Sequence, residues 1–285
     1  MGTDGTTSTD GTTSTGLRRE QVEVDGVSLS CLTAGRPDAP PLLLLHGTFW
    51  SRVWQPVLPQ LGEHFRAVAL DLPGFGLSDG ELDVARATVP ALAETVLRAA
   101  DALGMEEFLL GAHDIGGGVA QHLVVHGGDR VRRLVLLNAV VLDSWPVPAV
   151  ARFQDPRVRA AATVASTLDG RRASVGAAVG RELSSDEVED YVQPWRSEAR
   201  VRSWSAMAGA ADPRYTLDLV PGLVDRALPT RLVWGRDDDF QKIEFARRYV
   251  EQVPGADLVE VAGKHIPTED SPRDVAAAML EHLRG

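Results

Sequence analysis

The octapeptide Gly111-Ala112-His113-Asp114-Ile115-Gly116-Gly117-Gly118 places a carboxylate among small residues. Before it, Phe108 to Leu110 close a buried strand; after it, Val119 to Val125 read as the first turns of a helix. A small-x-nucleophile-x-small pattern at such a junction is the sequence form of a nucleophile elbow. The reacting residue sits on a strained turn, so its neighbours must be slim. Ala112 and Gly116 meet that demand, and Gly117 and Gly118 permit close helix–sheet packing. Where serine would offer an alkoxide, Asp114 offers a carboxylate, a covalent nucleophile toward electrophilic carbon. The same octapeptide also suits an ordinary Asp cap on a strand-to-helix turn.

Three more stretches carry chemistry. His46-Gly47-Thr48-Phe49-Trp50 follows the apolar run Pro41 to Leu45. Its glycine lets the loop turn sharply and expose backbone N–H groups. An N–H of Thr48 or Phe49, with that of Ile115, would form an oxyanion hole. Asp238 follows the strand Thr230 to Trp234, where an acid can orient a histidine, and His265 follows the strand Asp257 to Val261. Taken singly, these are a turn, a hydrated acidic loop and a solvated histidine. Together, Asp114, Asp238 and His265 give the nucleophile–acid–base order, each after a predicted strand.

The elements that must position these groups alternate. Val22 to Thr33 read as one or two opening strands; Pro41 to Leu45, Phe65 to Leu70, Phe108 to Leu110, Val131 to Leu137, Thr230 to Trp234 and Asp257 to Val261 read as buried strands. Helical patterns lie at Val89 to Leu103, Gly117 to His126, Ile243 to Gln252 and Pro272 to Leu283. This predicts an α/β fold, a mostly parallel sheet with helices on both faces. The alternation breaks between about Asp143 and Leu223, where short helices such as Val158 to Leu168 and Ser185 to Tyr191 read as an inserted helical cap. The expected organisation is a tail at 1–16, a core at 17–142 and 224–285, and a cap at 143–223.

Composition bounds the reading. The 285 residues suit one α/β domain with an inserted subdomain, and a net charge of −11 argues against nucleic acid or an anionic membrane as partner. The lone Cys31 cannot form an intrachain disulfide and reads as a core residue. The Gly/Thr/Ser/Asp-rich tail is expected to be disordered and lacks the pattern of a secretory signal. No apolar run approaches the roughly 20 residues needed to span a bilayer. The expectation is a soluble cytoplasmic protein, monomeric or homodimeric. Asp71-Leu72-Pro73-Gly74 has no accompanying phosphate-binding loop, and Gly74-x-Gly76 is followed by Asp79 where a dinucleotide fingerprint needs glycine. His113-Asp114 lacks the further ligands a metal site requires.

Over about Val22 to Leu283 the chain resembles the α/β-hydrolase superfamily, on the stretches LLLLHGTFWSRVW, DLPGFGLSD, GAHDIGGGVAQ, RLVWGRDDDF and AGKHIPTEDSP. Aspartate in the elbow resembles the epoxide hydrolase and haloalkane dehalogenase branch. The resemblance implies an eight-stranded sheet and a covalent Asp114 ester. It also implies a water activated by His265 and Asp238, with no metal or organic cofactor. It offers Asp143 as an alternative acid.

The leaving group separates the branches. Epoxide opening calls for cap tyrosines, here Tyr215 or Tyr191; Trp50, His113 and Trp145 are further candidates near the substrate. Halide release calls for N–H donors, and Ile115 and Thr48 stand where haloalkane dehalogenases usually carry Trp and Asn or Trp. The leading expectation is therefore a small hydrophobic epoxide. The alternatives are a haloalkane or haloacid, motivated by Trp145, Trp195 and Trp204, and a non-hydrolytic lyase or cyclase reaction on the same scaffold.

Overall fold

A computed structural model describes residues 16–285, so nearly all of the tail expected at 1–16 lies outside the described residues. Eight strands form one sheet in the order β1-β2-β4-β3-β5-β6-β7-β8. These are β1 Arg18–Val24, β2 Val27–Ala34, β3 Pro41–Leu45, β4 Arg66–Leu70, β5 Phe108–Asp114, β6 Val131–Ala139, β7 Thr230–Gly235 and β8 Ala256–Val261. The opening run of the sequence is thus two strands, paired antiparallel, and β2 also pairs antiparallel with β4. Every other pairing is parallel. The middle strands are buried on both faces, as their unbroken apolar sequences require: Leu42 to Leu45 and Leu134 to Leu136 have no exposed surface.

The strand order reverses at β3, whose neighbours β4 and β5 follow it to opposite sides. In an open α/β sheet, the crevice beyond the carboxyl ends of the strands at such a point is where ligands bind. Here it receives the loop after β3 and the turn after β5.

Two local expectations change. β5 continues four residues past Leu110, to Asp114, because Gly111 and Ala112 pair with Leu44 and Leu45 of β3. The helix expected at Val158 to Leu168 is two, Pro156–Ala160 and Val164–Ala178. Thr163 breaks the run by capping: its side chain accepts from Ser166 N–H, while the Ser166 side chain accepts from Thr163 N–H. Between β6 and β7 all regular structure is helical, from Pro148 to Arg226. Its last short helices, Arg214–Leu217 and Val220–Arg226, pack on the core helix Ile115–His126. No helix among the described residues is long and apolar enough to cross a membrane.

Candidate active site

Asp114 ends β5 at φ 52° and ψ −127°, and the helix Ile115–His126 starts at the next residue. A positive φ outside the left-handed helical well is costly for any residue bearing a Cβ, and it persists only when neighbours enforce it. The enforcing contacts are glycine contacts. A Cβ on Gly47 would stand 2.4 Å from Ile115 N and 2.6 Å from Asp114 Oδ2; one on Gly116 would stand 2.6 Å from the His46 carbonyl oxygen. The loop after β3 and the turn after β5 therefore touch backbone to backbone.

That contact creates the hole. Thr48 N–H donates to Asp114 Oδ2 at 2.8 Å. Of the two loop candidates, Thr48 rather than Phe49 makes this bond, while the Ile115 nitrogen borders the same oxygen across Gly47. His46 is structural: its Nε2 accepts from Leu72 N–H and its Nδ1–H donates to the Gly47 carbonyl, fixing the loop.

The structure brings the three separated residues together. His265 Nε2 lies 3.9 Å from Asp114 Oδ2, and Nδ1–H donates to Asp238 Oδ2 at 2.9 Å. Asp238 is itself held: Oδ1 accepts from the N–H groups of Phe240 and Gln241, and Oδ2 also accepts from the Asn138 side-chain amide at 2.7 Å. Asn138 sits near the end of β6, in the neighbourhood where the alternative acid was sought. Asp143 itself is exposed and paired with Arg248 at 3.0 Å, so it does not serve His265.

Burial alone would raise the Asp114 carboxyl; the hydrogen-bonding and charge of His265, aided by Thr48 N–H, outweigh it and hold the group ionised. Burial alone would likewise strip the His265 proton, yet the charges of Asp238 and Asp114 push the imidazole up to about 10. Both shifts favour the charged forms, a carboxylate facing an imidazolium.

His113 does not face the cavity. Its Nε2–H donates to the His265 carbonyl at 2.8 Å, and burial, followed by the neighbouring His265 charge, pushes it down to about 4. It is a neutral brace for the loop carrying His265. The two tyrosines are also displaced from the role expected of them. Tyr191 is buried with its hydroxyl on Glu269 Oε1 at 2.8 Å, and Tyr215 packs against the core; neither lines the cavity. Trp50 donates its indole N–H to the Tyr191 carbonyl and is enclosed beside it.

A cavity of about 330 Å³ opens over Asp114 and His265. Its floor includes Thr48, Phe49 and Phe240, the last edge-on to the His265 ring at 5.2 Å. Its roof includes Phe153, Arg171 and Trp204 from the helical segment and Trp145 from the loop ahead of it. Trp145 Nε1–H is buried without an acceptor among the described residues. Arg171 was not anticipated. The signal was present, since Thr167, Arg171, Val175 and Ala178 form the buried stripe of Val164–Ala178 at helical spacing, and an arginine in such a stripe is unusual. Among the described residues no cluster of three His, Cys, Asp or Glu side chains could hold a metal ion.

A family profile for the alpha/beta hydrolase family matches residues 42–278. The chain belongs to the alpha/beta hydrolase family. It is similar to haloalkane dehalogenase 2 of Mycobacterium tuberculosis, 30% identical over 263 residues and covering 86% of this chain and 88% of that protein. It is also similar to epoxide hydrolase 4 of Mus musculus, 25% identical over 93% of this chain and 78% of that one. An alpha/beta hydrolase fold protein from Burkholderia ambifaria superposes with a TM-score of 0.81 at 25% identity, covering 92% of this chain and 96% of its own.

Proposed function

We propose that this hydrolase cleaves a bond between saturated carbon and an electronegative leaving group through an ester on Asp114, carbon–halogen being the bond broken. The observation that carries the reading is the Asp114 carboxylate, held in the Thr48 N–H hole with His265 3.9 Å away. A serine-type elbow would point its nucleophile at a hole reserved for the substrate's oxygen; here the hole already holds an oxygen of the nucleophile.

In the first half-reaction an Asp114 oxygen attacks carbon, the carbon–halogen bond breaks, and halide departs with the electron pair. Alkylation removes the Asp114 charge, so His265 loses part of what holds its proton, gives it up to solvent alongside the departing halide and becomes a base. In the second half-reaction His265 takes a proton from water, hydroxide attacks the Asp114 carbonyl carbon, and Thr48 N–H stabilises the oxyanion. Collapse expels an alkoxide, which recovers the proton from His265 and leaves Asp114 as a carboxylic acid whose own proton then passes to His265, restoring the starting site. Asp238 holds the imidazole tautomer throughout.

Halide is favoured over epoxide by the roof. The acids expected for epoxide opening, Tyr215 and Tyr191, do not line the cavity, whereas the Trp145 N–H has no acceptor among the described residues and suits a departing anion. Likeness to a haloalkane dehalogenase at 30% identity supports the same reading. Epoxide opening is a second reading, because the His265 imidazolium could protonate the alkoxide that a tyrosine would otherwise serve.

The test uses His265→Gln with 1-bromoalkanes, bromoalkanoates and terminal epoxides of two to six carbons. The expected result is about one equivalent of halide released and an alkyl group on the Asp114 peptide by mass spectrometry. Turnover by Asp114→Ala at the wild-type rate would overturn covalent catalysis. An adduct from epoxides alone would move the assignment to the second reading.

A further inference from the structure

Arg171 projects from the middle of the helix Val164–Ala178 into the roof of the cavity. It is 8% exposed, yet among the described residues no carboxylate comes within 4.0 Å of its guanidinium. One Nη1–H donates to the Thr48 carbonyl at 2.8 Å and one Nη2–H to Ser174 Oγ at 3.2 Å. Among the described residues, Nε–H and the second proton of each terminal nitrogen carry no hydrogen bond. The guanidinium stacks on Trp204 at 4.3 Å, with Phe49 at 5.1 Å and Trp195 at 5.3 Å from their ring centres. Aromatic faces attract a cation but do not replace a counter-anion, and a buried charge ordinarily has one.

Thr48 ties this cation to the chemistry. Its N–H donates to Asp114 and its C=O accepts from Arg171. The guanidinium and the attacking carboxylate are therefore no more than about 9 Å apart, one residue and two hydrogen bonds.

We infer that Arg171 is a binding site for a carboxylate of the substrate, so that the molecules turned over are short acids carrying the reacting carbon a few atoms from their carboxylate. The inference rests on the Asp114 reading for what happens at that carbon, but not for the binding itself. The fork of unpaired N–H donors fits a carboxylate, and its desolvated position strengthens each bond. The overall charge of −11 repels acids at long range, so their selection must come from a local cation of this kind. Ser174 positions the fork, and neighbouring Ser166 adds a hydroxyl to the cavity wall.

Binding is measured by quenching of the tryptophan fluorescence of the wild-type enzyme with unreactive butanoate and butanamide, which differ in charge and little in shape. Butanoate is expected to bind at least about 30-fold more tightly, the scale of a hydrogen-bonded charge pair. Arg171→Met should abolish that preference and Arg171→Lys should keep part of it; for bromobutanoate the loss should fall on KM more than on kcat. Equal binding of acid and amide by the wild type would overturn the proposal without any variant being needed. So would an acid preference that survives Arg171→Met in a protein with wild-type circular dichroism, since a purely structural arginine would leave the preference alone. Acid binding with no adduct in His265→Gln would sink the Asp114 chemistry and leave this site standing. Adducts from bromoalkanes without acid preference would do the reverse.

Discussion

The floor and the roof of the cavity are built on opposite plans. On the floor every group is held by the ends of parallel strands. Asp114 closes β5, Asn138 lies near the end of β6, Asp238 follows β7 and His265 follows β8; Asp114 Oδ2, both Asp238 oxygens and His265 Nδ1 each have a named protein partner. On the roof, Arg171 of the helix Val164–Ala178 and Trp145, in the loop ahead of Pro148–Ala151, present N–H donors that are partly or wholly unused among the described residues. A satisfied constellation is one set up for a reaction, because preorganised partners need no rearrangement as charge develops. An unsatisfied one is set up for a ligand. On the two proposals above, the contrast separates where the molecule does chemistry from where it chooses substrate.

The sharpest way to break that division is to remove a floor residue. Asp114→Ala should lower kcat/KM by at least about 10³-fold, measured by halide release, and leave the acid preference at Arg171 in place. Next comes Asp238→Asn, expected to cost about 10²- to 10⁴-fold in turnover, because His265 loses the acceptor that fixes its tautomer. Asn138→Ala should cost about tenfold to a hundredfold, as removal of a hydrogen bond behind a working group does.

A fourth perturbation reaches the joint between floor and roof. Glu269, four residues past His265, accepts from Arg52, Tyr191 and Arg181, two of them on the helical insertion. Glu269→Gln breaks a buried charge network and should lower the unfolding free energy by about 3 kcal/mol, read by urea denaturation, with a smaller loss of turnover than Asp238→Asn.

The smallest expected effect is the pH dependence of stability. His265, raised to about 10 in the folded chain, contributes stability that is whole below its unfolded value near 6.5 and disappears as pH climbs through 10. Asp114, lowered by folding, contributes stability that is whole above about 3.8 and is lost on acidification. The Tm difference between wild type and Asp114→Ala should therefore be largest between about pH 4 and 6.5 and narrow toward pH 10, by thermal scans at pH 5, 7.5 and 10.

The floor was legible in the sequence for a physical reason. β5, β6 and β7 carry apolar runs that stop at a small residue or ahead of a loop acid, while the edge strand β8 is interrupted by Asp257 and Glu260; the parallel sheet aligns their ends whatever lies between them. Asn138 escaped because nothing near it in sequence announces a partner 100 positions away. The roof was harder because its residues are specified by distant contacts. Tyr191 looked like an acid until its hydroxyl met Glu269, 78 residues on, and an alanine-rich stretch hid the cap at Thr163. Arg171 was readable in principle, as the one charge in a helical stripe otherwise made of Thr167, Val175 and Ala178.

The positive φ of Asp114 bears on how such a protein changes over generations. The strain belongs to the backbone, and the hole beside it includes a main-chain N–H that no side-chain substitution deletes. A lineage can therefore exchange the attacking atom by one substitution and inherit the surrounding architecture unaltered. On the proposed role of Arg171, the choice of guest is encoded elsewhere, in a helical segment inserted between two strands. Heredity can revise the two traits separately, so a new substrate need not await a new reaction.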